Sequence, residues 1–335
     1  MRAAFLVTIF VSTLVFAQSS QLPQPAGGDY IDAATRERLV SDVLRQLEQK
    51  FVFPKRVTEK LPVLVARWST AGFAGITSAG ELINVMNADL TDAFHDGHLL
   101  LLPQRADAMP AGIFDTAEPD AAALAELEER EKILGYGIVE TKVLDGNIGY
   151  IEIQHFPYVR MTGLPRAIVA AMNRVRDTKA LIIDLRWNSG GDGDTVAHIM
   201  AYLLDRRTLL AREYDRVTGK TSEDWTPATV PGPRYGAHRP VWVLISRKTF
   251  SGGEEMAYDL QTLKRGRLIG ETTGGGAHHN MVVRVGGDFV LSIPTARAES
   301  PITHTDWDGV GVKPDVAVDA QRALDVALAE ARKLR

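Results

Sequence analysis

Ser251 stands where an apolar run, Val241-Trp242-Val243-Leu244-Ile245, gives way to a helical pattern, Glu255-Met256-Ala257-Tyr258-Asp259-Leu260. A serine between a strand and a helix start sits among outward-pointing backbone N–H groups, at the positive end of the helix dipole. Such a place stabilises both an attacking oxygen and the oxyanion it creates. It is also a place where serine very often serves as an N-cap, and the junction taken alone favours that role. Nucleophilic catalysis also needs a base. His98, in Asp96-Gly97-His98, is one histidine of suitable type; His278-His279 reads as a solvated loop pair and a secondary candidate.

Three further stretches invite other chemistry. His95 and His98 are three apart, a spacing that suits a shared metal, but no third ligand accompanies them and no metal is expected. Gly274-Gly275-Gly276 lacks the Gly-Lys-Ser/Thr ending of a phosphate loop, so no nucleotide cofactor is expected either. Asp192-Gly193-Asp194 hints at calcium without the remaining ligands of a calcium loop.

The elements that must position these residues belong to a chain of 335 residues, 45% hydrophobic and 24% charged, as in globular proteins of about two domains. A net charge of −4 gives no reason to expect nucleic acid as a partner. With no cysteine, thiol chemistry and disulfides are excluded. Met1-Arg2 followed by apolar residues to Ala17 reads as a cleaved signal peptide, too short to span a bilayer. The mature protein is therefore expected to be periplasmic or secreted, without stable membrane insertion, and its oligomeric state is left open.

The expected organisation is a signal peptide (1–17), a flexible leader (18–29), a helical domain (30–105), a linker (106–132) and a core domain (133–335). Leu39, Val43, Leu44 and Leu47 recur at helical spacing, closed by Phe51-Val52-Phe53-Pro54. A second helix is expected over Val57 to Trp68. Ser78-Ala79-Gly80-Glu81 has capping-box form ahead of Leu82, Met86 and Leu90. Leu99 to Leu102 reads as a strand, and Ala121 to Lys132 as a short helix. Beyond it, a hairpin turns at Asp145-Gly146, a helix spans Leu164 to Val175, and Ala180 to Leu185 is a buried strand. Helix Thr195 to Leu204, the strand at 241–245 and the strand Leu268-Ile269 continue the alternation, which is that of an α/β fold. A hairpin around Gly286-Gly287-Asp288 and a terminal helix from Ala320 complete the chain.

Asp184-Leu185-Arg186-Trp187-Asn188-Ser189-Gly190-Gly191, Thr249-Phe250-Ser251-Gly252-Gly253-Glu254 and Gly270-Glu271-Thr272-Thr273-Gly274-Gly275-Gly276 follow successive strands in this order. With Gly311-Val312-Lys313-Pro314-Asp315 they resemble the tail-specific, or C-terminal-processing, serine peptidase family. The branch is that of interphotoreceptor retinoid-binding protein relatives and the tricorn protease core, and the resemblance covers residues 30 to about 319. It implies a crotonase/Clp-peptidase-like core of strand-strand-helix units, preceded by a small helical domain. Many members use a lysine base in a Gly-Glu-x-Thr-Phe-Gly-Lys-Gly context; Gly276 occupies that place here, so a serine–lysine dyad is not expected. The tricorn-like branch uses histidine oriented by an acid. His98 matches its histidine, and Asp308 matches a position where relatives carry glutamate.

The resemblance thus implies Ser251 as nucleophile, His98 as base and Asp308 as its orienting acid, with oxyanion donors from Gly252 and from Gly190 or Gly191. The span from 99 to about 145 is too short for the peptide-reading PDZ domain that many relatives insert there. The first reading is accordingly an exported serine endopeptidase acting on unfolded or short peptides. The alternative, from a different class, is a non-catalytic binder of an apolar, retinoid- or lipid-like ligand on the same fold. A partner-binding pseudoenzyme is a third.

Overall fold

The computed structural model describes residues 30–69, 72–73, 75–103 and 119–334. The expected signal peptide, the leader and residues 106–118 of the expected linker lie outside the described residues. Among the described residues no helix is long and apolar enough to cross a membrane. The chain divides into two compact units, and the second is interrupted by the first.

The first unit takes the described residues up to Ala123 with Tyr214–Thr221 and His278–Arg297. Helix α1 (Ala33–Lys50) starts where the Asp32 carboxylate accepts the Thr35 N–H, and it buries Leu39, Val43 and Leu47 along one face. Pro54 opens helix α2 (Pro54–Arg67) instead of merely closing the preceding element. At the first helical position the missing proline N–H has no intrahelical bond to lose. In helix α3 (Ala79–Phe94) the Ser78 side chain caps the Glu81 N–H, and Leu82, Met86 and Leu90 are fully buried, as the spacing predicts. Strand β1 (Leu100–Pro103) pairs antiparallel with β10 (Phe289–Glu299), which pairs with β9 (His278–Val285).

The β9–β10 hairpin belongs with the helices, although it follows them by nearly two hundred residues. Val283, Val285, Phe289, Leu291 and Ile293 share one buried cluster with Leu39, Leu82 and Phe94. The turn at Gly286 needs glycine: φ is 61°, and a Cβ would stand 2.8 Å from that of Leu39.

The second unit is built on a six-stranded sheet of order β11-β8-β7-β4-β3-β2. Strands β2 (Ile138–Leu144) and β3 (Ile148–Ile153) form the expected hairpin. Next come β4 (Ala180–Asp184), β7 (Val241–Ile245), β8 (Arg267–Gly270) and β11 (Val316–Ala317), in parallel pairing from β3 onward. Every residue of β4 and β7 is buried, as in parallel strands covered on both faces. On one face Ile151, Leu181, Ile183 and Val243 meet helices α5 (Leu164–Val175), α6 (Gly193–Leu203) and α7 (Gly252–Thr262). On the other, Ile182, Trp242 and Leu244 meet helix α8 (Ala323–Ala331) through alanines at 323, 327 and 331, small enough to let the helix lie close.

Helix α4 (Ala121–Ile133) is packed structure from Leu124 onward, within the segment expected to be linker. Leu124 and Leu127 join the main cluster. The Glu128 carboxylate accepts from Thr162 Oγ1 and from the Gly163 N–H at 2.8 and 2.7 Å, and Glu131 meets His155 at 2.8 Å. A hairpin of β5 (Leu209–Asp215) and β6 (Lys220–Trp225) is the one substantial element that the reading of the sequence lacks.

Candidate active site

Parallel pairing puts the carboxyl ends of β4, β7 and β8 along one edge of the sheet, where α/β folds place their ligands. The loops leaving them are residues 185–192, 246–251 and 271–276, the three glycine-rich motifs. They are laced by hydrogen bonds: Phe250 N–H to the Asn188 carbonyl (3.0 Å), Gly274 N–H to the Thr249 carbonyl (3.0 Å), and Thr249 Oγ1 to the Leu185 carbonyl (2.8 Å).

Ser251 is the N-cap of α7, with φ 51° and ψ −124°. That conformation suits glycine, and for serine it stores about 1–3 kcal/mol. Ser251 and Glu254 stand in the reciprocal arrangement of a capping box, and the Glu254 N–H goes to the Ser251 carbonyl at 2.8 Å. The turn is held by the Glu254 carboxylate, wholly buried, which accepts the N–H groups of Ser251 (3.0 Å), Gly275 (2.7 Å) and Gly276 (2.8 Å) and contacts Thr273 Oγ1. Burial pushes this carboxyl up to about 7, against the opposing pull of those donors. Because Gly275 and Gly276 spend their N–H groups on Glu254, the glycine-rich loop has none there to offer a phosphate.

Gly190 and Gly191 differ in what they can donate. The Gly190 N–H is taken by Asn188 Oδ1 at 2.8 Å, so Gly190 is corrected from oxyanion donor to spacer. Its φ is 96°, and a Cβ on it would stand 2.6 Å from that of Ser251. The Gly191 N–H and the Gly252 N–H enter no hydrogen bond among the described residues. A Cβ at Gly252 would lie 3.3 Å from the Gly191 nitrogen, so the two glycines approach closely. The Phe156 N–H bonds the Gly190 carbonyl and the Asp192 N–H bonds the Phe156 carbonyl, both at 2.8 Å, which pins the loop from behind.

Asp308 lies in the same unit as Ser251, on the segment that closes over the glycine-rich loop. Trp307 Nε1 donates to the Gly276 carbonyl (3.0 Å), Gly309 N–H to the Gly275 carbonyl (2.8 Å), and Asp308 Oδ1 accepts the Ala277 N–H (3.3 Å). Asp192 caps α6, and its oxygens accept the N–H groups of Asp194 and Val159, which accounts for the acidic pattern there without calcium.

Two supports were not singled out in the sequence. Asp184 is gripped by the Arg186 guanidinium at 2.6 Å and by the Tyr150 hydroxyl at 2.8 Å. Asp259, on α7 beyond the serine, is 4% exposed with no hydrogen bond to Oδ2. Burial first, then the charges of Glu255 and Asp224, hold its carboxyl well above the usual range. The folded protein therefore keeps a proton there that the unfolded chain has lost, and stability falls as pH rises toward the folded value. Asp259→Asn is expected to raise the melting temperature, more at pH 8 than at pH 5. Equal shifts at both pH values would show that the charge is not what destabilises.

His98 lies in the first unit, 6% exposed, at the end of the turn after α3. Burial, with His278 and His279 adding to it, pushes the imidazole down to about 4, while the Asp96 charge pulls the other way. It is neutral at pH 7, as a base must be. His95 is exposed at the left-handed C-cap of α3. His278 corrects the expectation of a solvated loop pair: it opens strand β9, is 2% exposed, and sets Nδ1 2.7 Å from Asp96 Oδ2.

Comparison with known proteins bears on the family. The model for "Peptidase family S41" matches residues 147–318, just over half of the chain. Carboxyl-terminal-processing peptidase 2 of Arabidopsis thaliana, a chloroplastic protein, is 31% identical over 169 residues, covering 50% of this chain and 31% of its own. The carboxy-terminal-processing protease of Bartonella bacilliformis is 24% identical over 194 residues, covering 56% and 43%. The chain thus spans less than half the length of these relatives. The photosystem II D1 C-terminal processing protease shares the fold with a TM-score of 0.51 at 16% identity, over 87% of this chain and 94% of its own. The tricorn protease does so with a TM-score of 0.53 at 14% identity, over 89% and 37%. The chain belongs to peptidase family S41.

Proposed function

We propose that this chain is a serine-type endopeptidase that cleaves peptide bonds in unfolded or short polypeptides, exported after removal of residues 1–17. The observation that carries the reading is Ser251 at its strained position at the start of α7, with the N–H groups of Gly252 and Gly191 uncommitted nearby. Ser251 Oγ attacks the scissile carbonyl carbon and gives its proton to His98. The carbonyl oxygen becomes an oxyanion met by Gly252 and Gly191, each donor worth about 3–4 kcal/mol of transition-state stabilisation. His98 then passes its proton to the leaving amine, and water, activated the same way, hydrolyses the acyl-enzyme. Asp308 is assigned to the imidazolium.

The test is labelling by a fluorophosphonate probe. Wild type is expected to be labelled at Ser251, and Ser251→Ala and His98→Ala to be folded but unlabelled. Ser251→Gly adds a separate signature: glycine accepts φ 51° without strain, so it is expected to gain about 1 kcal/mol of stability while labelling is lost. A wild type that resists the probe would favour the non-catalytic binder of an apolar ligand.

A further inference from the structure

The proposed mechanism leaves unused a buried pair of ionisable groups in the unit that carries His98. His95, at φ 50°, breaks α3 and turns the chain so that Asp96 and His98 both point inward. Asp96 Oδ1 accepts the His98 backbone N–H at 3.0 Å, and Oδ2 meets His278 Nδ1 at 2.7 Å. An ionised carboxylate only accepts, so the shared proton sits on Nδ1. The His278 ring is backed edge-on by Phe53 at 5.1 Å. On the other side of the turn the His98 carbonyl accepts from Ser292 Oγ at 2.6 Å, and Ser292 in turn accepts from Asn280. Both anchors of the His98 turn therefore come from the β9–β10 hairpin.

We propose that His278 is a positioning residue: clamped to Asp96, it holds the turn that presents His98 and sets the charge that the His98 imidazole meets. The proposal rests on the assignment of His98 as the base. Any donor would satisfy Asp96, but an imidazole on a carboxylate adds a choice of charge. With a cationic His278 the pair is neutral, and the help that the Asp96 charge gives His98 is reduced. With a neutral His278 the Asp96 charge survives and favours the His98 imidazolium that forms as Ser251 is deprotonated. Within this unit the titratable and charged groups around the pair are His98 and His279, with Arg56 and Arg297 stacked on Phe53 behind His278.

Two substitutions separate this role from a structural one. His278→Gln keeps an N–H donor for Asp96 while removing the imidazole; Asp96→Asn removes the charge. Titration of the His98 ring, followed by NMR on histidine-labelled protein, is expected to move up by about one pH unit in His278→Gln and down in Asp96→Asn. The acid limb of the fluorophosphonate labelling profile is expected to move with it. A far-downfield imidazole N–H resonance should be present in wild type and lost in Asp96→Asn. A folded His278→Gln whose His98 titrates as in wild type would overturn the proposal, and it decides alone if Asp96→Asn does not fold. If wild type resists the probe, the peptidase reading falls, and the His98 titration still tests the coupling.

Discussion

Glu254→Ala is expected to remove labelling of Ser251 by a hundredfold or more and to lower stability by several kcal/mol. The carboxylate collects three N–H groups and the Thr273 hydroxyl from two loops into a site closed to solvent. Alanine abandons all four donors in a cavity, and a buried unsatisfied polar group costs about 1–3 kcal/mol. It also releases the Ser251 N–H, which the carboxylate ties to the glycine-rich loop; misplacing a reacting atom by about 1 Å is worth on the order of a hundredfold in rate. Glu254→Gln is expected to fall between. Its amide oxygen still serves two donors, and its NH₂ turned to Thr273 still bonds the hydroxyl but confronts the Gly275 N–H. Chemical denaturation and labelling rates measured together check this, and an alanine variant as stable and reactive as wild type would remove Glu254 from the site.

The same residue makes a pH prediction of definite sign. Its folded value of about 7 lies above the ordinary 4.5, so between the two the native state holds a proton that the unfolded chain has released. Stability is therefore complete below about 4.5 and declines as pH rises to about 7, by about 3 kcal/mol at roughly 1.4 kcal/mol per unit. Glu254→Gln should flatten that part of the stability curve.

Much of this was legible locally. The helical spacing of Leu39, Val43 and Leu47, the capping box at Ser78 and the apolar runs at 180–184 and 241–245 each correspond to an element, because a single period or a single cap decides them. The β5–β6 hairpin was not legible: Arg212, Glu213, Asp215, Glu223 and Asp224 leave no alternation, and most of its residues are exposed or half-buried. Nor was the membership of β9 and β10 in the helical unit, since nothing near Val283 or Leu291 in sequence names Leu39 as a neighbour. The site divides along the same line. Ser251 and its glycines announce themselves by type and spacing, whereas the Asp96–His278 contact joins residues 182 positions apart. The exclusion of Gly190 as a donor turns on one side-chain oxygen of Asn188, which a glycine pair in a motif does not reveal.

Gly190→Ala is expected to be as damaging as the loss of Glu254, for reasons of space alone. The new methyl would stand 2.6 Å from Ser251 Cβ and 3.0 Å from both the Gly252 nitrogen and the Phe250 carbonyl oxygen. These are the proposed nucleophile, a proposed oxyanion donor and their backbone, none of which is the far end of a flexible side chain. The loop cannot yield either, because Gly190 holds Asn188 Oδ1 on one side and the Phe156 N–H on the other. Part of the penalty is conformational, about 1–2 kcal/mol for a Cβ at φ 96°. Gly135→Ala isolates that part: Gly135 has φ 68° with nothing within 4 Å of a Cβ, so it should lose similar stability and keep full labelling. Gly190→Ala should lose labelling a hundredfold or more beyond that control. Matching losses in the two variants would mean that Gly190 is needed only for its backbone angle, and that the close approach to Ser251 has no catalytic consequence.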